Sequence, residues 1–148
     1  MTKEKSWLRL RKVDLAWMAG FMDGEGSIGA YTRYYNVYVS ITNTERWMLE
    51  LFKFAFGGNV YDLLGGEVNW KARYEYKISG DKALVMLRAL LPYLKLKKGQ
   101  AELAVQYLEH RKRGHKSRPV TEAEFILRKS YADRINVMRK QKGGYGAQ

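Results

Sequence analysis

The sequence predicts an α+β fold: helix, hairpin, helix, hairpin, then three helices, with four strands in one antiparallel sheet. Three observations carry this. The hydrophobic period switches twice from helical spacing to strict alternation. Each alternating run has an apolar and a polar face, as strands of a sheet covered on one side require. The chain has 148 residues, 46% of them hydrophobic, with no linker and no exact repeat, which suits one domain over 1–148.

Residues 1–13 read as a basic arm. Asp14 is the expected N-cap of a helix from Leu15 to about Met22. In "SIGAYTRYYNVYVSITN", Ile28, Ala30 and Thr32 alternate with Gly29, Tyr31 and Arg33. After a turn near Tyr35 and Asn36, Val37, Val39 and Ile41 oppose Tyr38, Ser40 and Thr42. Helical spacing returns at Thr44, with Trp47, Leu51 and Phe54 on one stripe and Gly57–Gly58 as the stop. The second hairpin turns at Gly65–Gly66. In its later strand Lys71, Arg73, Glu75 and Lys77 face one side, and Ala72, Tyr74, Tyr76 and Ile78 the other. "DKALVMLRALLPYL", "KGQAELAVQYLEHRK" and "TEAEFILRKSYADRINVMRKQ" read as helices, the last two joined by "RGHKSRPV". Residues 142–148 read as a frayed tail.

Charge narrows the function classes. Lys and Arg number 27 against 15 Asp and Glu, a net charge of +12. Such a surplus repels itself in a compact chain and points to a polyanionic partner, nucleic acid before an anionic membrane surface. Cysteine is absent, which excludes disulfides and thiolate zinc sites. His110 and His115 lie in the basic run "EHRKRGHKSR" and read as solvated loop residues. No apolar run approaches the ~20 residues that span a bilayer. "MTKEKSWLRLRK" has no signal-peptide core, so the expected location is intracellular, in cytoplasm, nucleoid or organelle matrix.

The polar sheet face would carry Tyr31, Arg33, Tyr38, Ser40, Tyr61, Lys71, Arg73 and Lys77, with Glu75 its one acid in the last strand. Basic groups there neutralise phosphates, and Tyr, Ser and Arg offer hydrogen bonds to base edges. A solvated polar face would explain the alternation but not the scarcity of acids.

The first helix is apolar nearly all round. Leu15, Met18 and Met22 share one face, and Trp17 and Phe21 a second. Ala16, Gly20 and Gly24 lie four apart along a third, with Ala19 beside them. A glycine costs about 1 kcal/mol inside a helix, so Gly20 suggests close approach of another helix. Two such helices side by side would bring both "DGEG" ends to the level of the polar face. Carboxylates at a nucleic-acid surface repel phosphate unless divalent metal bridges them, so paired acids there suit metal-dependent phosphodiester cleavage. The same residues also allow a helix ending in a DG turn, with Asp23 a local cap and Glu25 in solvent.

"MAGFMDGEGSI" resembles the motif that names the LAGLIDADG homing endonucleases, and the element order is similar to that family's αββαββα core with its saddle-shaped sheet. The resemblance runs from Asp14 to about Gln141 and includes "SITNTERWMLELFKFAFGG" and "LLPYLKLKKGQAELA". It implies an intron-encoded nuclease that hydrolyses both strands of a long, pseudo-palindromic DNA target and leaves 3′ overhangs. By resemblance Glu25 is the metal-binding acid, the Gly24 carbonyl reaches the metal, and Asp23 is structural at the helix end. Lys97 matches a basic residue beside the scissile phosphates, Asn43 one that orders water, and Arg46 a basic residue behind the site. The metal implied is Mg²⁺, with Mn²⁺ as a substitute and Ca²⁺ supporting binding without cleavage. One motif implies a homodimer joined through Ala16, Ala19, Gly20, Asp23 and Gly24, with no membrane or small-molecule partner. The same fold also serves RNA-binding intron maturases and non-cleaving DNA-binding proteins. Lost motif acids would favour the former and an appended helix-turn-helix the latter; both acids are present, and no second domain is expected within these 148 residues.

Overall fold

The computed structural model describes residues 7–63, 72–113 and 119–141. Residues 1–6 of the basic arm, the Gly65–Gly66 turn, Lys71, His115 and the tail 142–148 lie outside the described residues. Elements follow in the order α1 (Lys12–Glu25), β1 (Gly26–Ala30), β2 (Val37–Asn43), α2 (Arg46–Phe56), β3 (Asn59–Leu63), β4 (Arg73–Ser79), α3 (Gly80–Leu90), α4 (Lys98–Arg113) and α5 (Glu122–Gln141). A single 3₁₀ turn, Leu91–Tyr93, containing Pro92, ends α3. The four strands form one antiparallel sheet, as predicted, and their order in it is β1-β2-β4-β3.

The expected alternation sets the layers. Ile28, Ala30, Val37, Val39, Ile41, Tyr76 and Ile78 are buried on the helix side, where they join apolar residues of all five helices in one core. Close approach requires glycine both in this sheet and beside it. At Gly29 a Cβ would lie 2.5 Å from the hydroxyl of Tyr38, its cross-strand partner. At Gly58 φ is +90°, and a Cβ would lie 2.7 Å from the Lys77 carbonyl oxygen.

The structure corrects several expectations, among them that for His110, which is not a loop residue but lies in α4 with Nε2 3.0 Å from the Glu124 carboxylate. Three others lie in α1, β1 and α2. First, α1 begins at Lys12, so Asp14 sits inside its first turn and the arm gives up two residues to the helix. Asp14 reaches back instead, its carboxylate accepting from the Arg11 N–H at 3.2 Å and the Arg11 guanidinium at 3.0 Å. That guanidinium, beside it, holds the Asp14 carboxyl below the usual carboxylate range. At its other end α1 runs past Met22 to Glu25, so "DGE" is its last turn.

Second, β1 stops at Ala30, so Thr32 and Arg33 belong to the connection and not to the strand. The Tyr31 N–H donates to the Asn36 carbonyl at 2.8 Å, and Tyr35 takes a left-handed φ of 54° to reverse the chain. Third, the Trp47–Leu51–Phe54 stripe faces outward, with Phe54 73% exposed. The core face of α2 is a second stripe, Leu49, Phe52, Ala55 and Phe56. Phe52 decides the orientation, wedged between the rings of Phe21 (6.1 Å) and Tyr76 (5.6 Å).

Candidate nuclease site and nucleic-acid interface

The site is built where α1 ends. Glu25 is the last helical residue and is exposed, with its carboxylate at the negative end of the helix dipole, where a cation is favoured. The preceding turn is held in place from behind. Asp23 is buried, and its carboxylate accepts the backbone N–H of Lys95 at 2.7 Å and of Lys97 at 2.9 Å, just ahead of α4. The ammonium of Lys97 donates to the carbonyl oxygen of Asp23, and its side chain is only 1% exposed. Carboxylate and ammonium thus cross-link the last turn of α1 to the segment that starts α4. The local reading of Asp23 as a DG-turn cap is superseded by this long-range one.

Replacing Asp23 with alanine is expected to cost roughly 3 kcal/mol, because a buried and a half-buried N–H group both lose a charged acceptor. Equilibrium urea unfolding measures this, and parent-like stability would show the cross-link to be dispensable.

Lys97 therefore contacts the chain one residue from Gly24 and two from Glu25. Lys97 is a buried group. Asn43 and Arg46 lie at the same end of the sheet: Gly26 pairs with Ile41, and Asn43 is two residues further along β2. Their side chains are otherwise engaged. Asn43 Oδ1 accepts the Glu45 N–H at 2.8 Å, ahead of α2. Arg46 contacts Glu50 at 3.3 Å and Asp62 at 3.5 Å, and lies 5.4 Å from the centre of the Tyr74 ring.

Oxygen donors are the right chemistry for a hard divalent cation. Glu25 and the Gly24 carbonyl are the residues that would supply them. Among the described residues no three His, Cys, Asp or Glu gather into a metal site. One carboxylate per chain fits a Mg²⁺ site completed by phosphate oxygens and a second carboxylate.

The predicted polar face is present. Tyr38, Ser40, Arg73, Glu75 and Lys77 lie on it, with Tyr61 half exposed on β3 opposite Glu75. The Lys77 ammonium lies 5.1 Å from the ring centre of Tyr38 and 5.6 Å from that of Tyr31, and the two rings are 4.7 Å apart. Ser40 donates to Glu75 at 3.0 Å, which ties up the one acid of the last strand on this face. Arg33 is exposed beyond the end of the sheet, its guanidinium 5.2 Å from the Tyr34 ring centre.

Of the small stripe on α1, Ala16, Gly20 and Gly24 are exposed, and a Cβ added at either glycine would meet nothing within 4 Å. Ala19 and Asp23 are not on this surface; both turn inward, to the core and to the α4 cross-link. The exposed Trp47, Leu51 and Phe54 on α2 were missed as surface residues. Spacing shows that α2 carries two apolar stripes, one more than a helix on a sheet needs, but not which of them faces outward. No helix among the described residues is long and apolar enough to cross a membrane.

No model of a known protein family matches the sequence. The DNA endonuclease I-CvuI of Chlorella vulgaris is 33% identical over 112 residues, 66% of this chain and 65% of that protein. The match thus spans just under two thirds of the relative's length. The homing endonuclease I-CvuI, solved in complex with DNA in the presence of Mg with the DNA not cleaved, superposes with a TM-score of 0.66 at 24% identity. That superposition covers 86% of this chain and 82% of the other. The archaeal intron-encoded homing endonuclease I-Vdi141I, complexed with DNA, gives 0.52 at 17% identity over 84% and 98% of the two chains. The LAGLIDADG meganuclease I-AabMI, bound to uncleaved DNA, gives 0.57 at 20% identity over 74% and 40%.

Proposed function

We propose that the chain is a member of the LAGLIDADG homing-endonuclease family, a reading its fold and its kinship in sequence support, and that it is a site-specific double-strand DNA endonuclease acting as a homodimer. The observation that carries this reading is the end of α1: an exposed Glu25 carboxylate at the negative helix end, backed by a buried lysine, in a chain of net charge +12. Glu25 and the Gly24 carbonyl, with their symmetry mates, would hold Mg²⁺. When bound, the metal lowers the pKa of a water and neutralises charge on the scissile phosphate.

The remaining work falls to side chains. Lys97 sets a positive charge behind the last turn of α1, where it offsets the negative helix end and stabilises charge developing at the phosphate. Asn43 and Arg46 order water around the site; Arg46 must exchange Glu50 and Asp62 for it. The sheet face carrying Tyr38, Arg73 and Lys77 follows the major groove, and C2 symmetry makes the target a pseudo-palindrome. Mn²⁺ is proposed to replace Mg²⁺, and Ca²⁺ to support binding without cleavage. The test is selection of a binding site from randomised duplex DNA in Ca²⁺, followed by incubation of the selected duplex with Mg²⁺ and with EDTA. Cleavage of both strands in Mg²⁺ alone is expected; a selected site that Mg²⁺ leaves intact would overturn the reading.

The dimer has its own test. Gly20→Leu adds a side chain on a face that is open in the single chain, and it removes a glycine cost of about 1 kcal/mol from the helix. The variant should fold and sediment as a monomer, because the added side chain separates the two α1 backbones. An undisturbed dimer would mean that the small stripe is not the interface.

A further inference from the structure

The connection between β1 and β2 carries Tyr31, Arg33 and Tyr34, all exposed. An isolated six-residue connection of this kind would sample many conformations and lose them on binding. Here it is fastened from the helix side at four points. Asn136 of α5 presents its side-chain amide to Ala30, the last residue of β1: Oδ1 accepts the Ala30 N–H at 3.0 Å and Nδ2 donates to the Ala30 carbonyl at 2.9 Å. That is the pairing a neighbouring strand would supply, given to the outer edge of the sheet by one side chain. Tyr107 of α4 donates its hydroxyl to the Tyr35 carbonyl at 2.6 Å, at the residue with left-handed φ. Arg111, one turn further along α4, donates to Asn36 Oδ1 at 2.8 Å. Phe125 of α5 packs edge-on against the Tyr35 ring at 5.3 Å.

We propose that Tyr107, Arg111 and Asn136 are positioning residues for target specificity, holding the β1–β2 connection so that Tyr31 and Arg33 meet a fixed set of base pairs at the outer end of each half-site. The proposal rests on the DNA-cleaving reading above. None of the three is among the residues assigned to DNA contact or to the cleavage site. Tyr107 is fully buried and stacks on Tyr131 at 5.0 Å, and burial pushes its hydroxyl pKa up, so it remains a donor. Fixing the connection before binding converts an ordering cost into discrimination, because a wrong base then meets groups that cannot move to accommodate it.

Tyr107→Phe is the discriminating variant, since it deletes one hydroxyl and keeps the ring stack. Site selection from randomised duplex DNA in Ca²⁺, for parent and variant, reads base preference position by position. Preference at the outermost base pairs is expected to fall about tenfold, while inner preferences and single-turnover cleavage of the parent site in Mg²⁺ stay the same. Amide hydrogen exchange in the 31–36 connection should accelerate in the variant without DNA. Arg111→Met should repeat the pattern, and Arg111→Lys should restore part of it. Equal loss at every position, or unchanged outer preference with faster exchange, overturns the positioning role. Unchanged exchange overturns the fastening itself. A parent protein that selects no site removes the nuclease reading and this proposal together, whereas a parent that selects and cuts leaves only the positioning role in question.

Discussion

Glu25→Gln is expected to abolish cleavage while leaving specific DNA binding in Ca²⁺ close to that of the parent. The substitution keeps the shape and one oxygen donor of the side chain but removes the charge that would hold a hard divalent cation. Glu25 is exposed at the end of α1 and makes no contact on which the fold depends, whereas Asp23, two residues earlier, is buried in the α4 cross-link. The same change at two neighbouring acids should therefore separate. Glu25→Gln should leave the urea midpoint alone and lower the cleavage rate by several orders of magnitude. Single-turnover assays on the selected duplex in Mg²⁺ measure the rate. Undiminished cutting would take Glu25 out of the mechanism.

Lys97→Met should have the second-largest effect, and a different signature. Removing one preorganised group that stabilises developing charge costs on the order of 10²–10³ in rate. Because the ammonium is buried against the Asp23 carbonyl, its loss should also lower stability by roughly 1–3 kcal/mol. A lysine that merely touched phosphate from the surface would instead lower affinity modestly and reduce the salt dependence by about one unit. Cleavage at saturating enzyme, compared with urea unfolding of the same variant, separates these cases. A variant that is less stable yet cuts at the parent rate would leave Lys97 as a helix cap only.

The sheet and its two faces were legible because alternation is a local property: Val37, Val39 and Ile41 can share a face only one way in a strand. The order of helices was legible for the same reason. Helix ends were less so. Asp14 suggested a cap, but a carboxylate can serve at N3 as readily as at the N-cap position, and Arg11 decided in favour of N3. The outward turn of Trp47 and Phe54 was not readable from spacing, since α2 offers two apolar stripes and the choice rests on Phe21 and Tyr76, distant in sequence. At the site, the motif located Asp23 and Glu25, but only the fold assigns one to the interior and the other to solvent. The fastening of residues 30–36 by Tyr107, Arg111 and Asn136 joins positions 72 to 106 residues apart and leaves no local trace.

The strand order also dictates how this chain must assemble. β2 and β4 are the inner pair, and their register joins Asn43 to Tyr74 and Tyr38 to Ser79 across all of α2 and β3. Neither hairpin alone is more than a two-stranded ribbon, which is marginal in water. Stable structure therefore waits until residues from both hairpins are available together, and a ribosome must release the chain beyond Ser79 before the central pairing can close. Long loop closure ahead of any stable sheet predicts slow folding for a protein of this size. Until that closure, the apolar strand face of the first hairpin stays uncovered, so yield during synthesis should depend on how fast the second hairpin arrives.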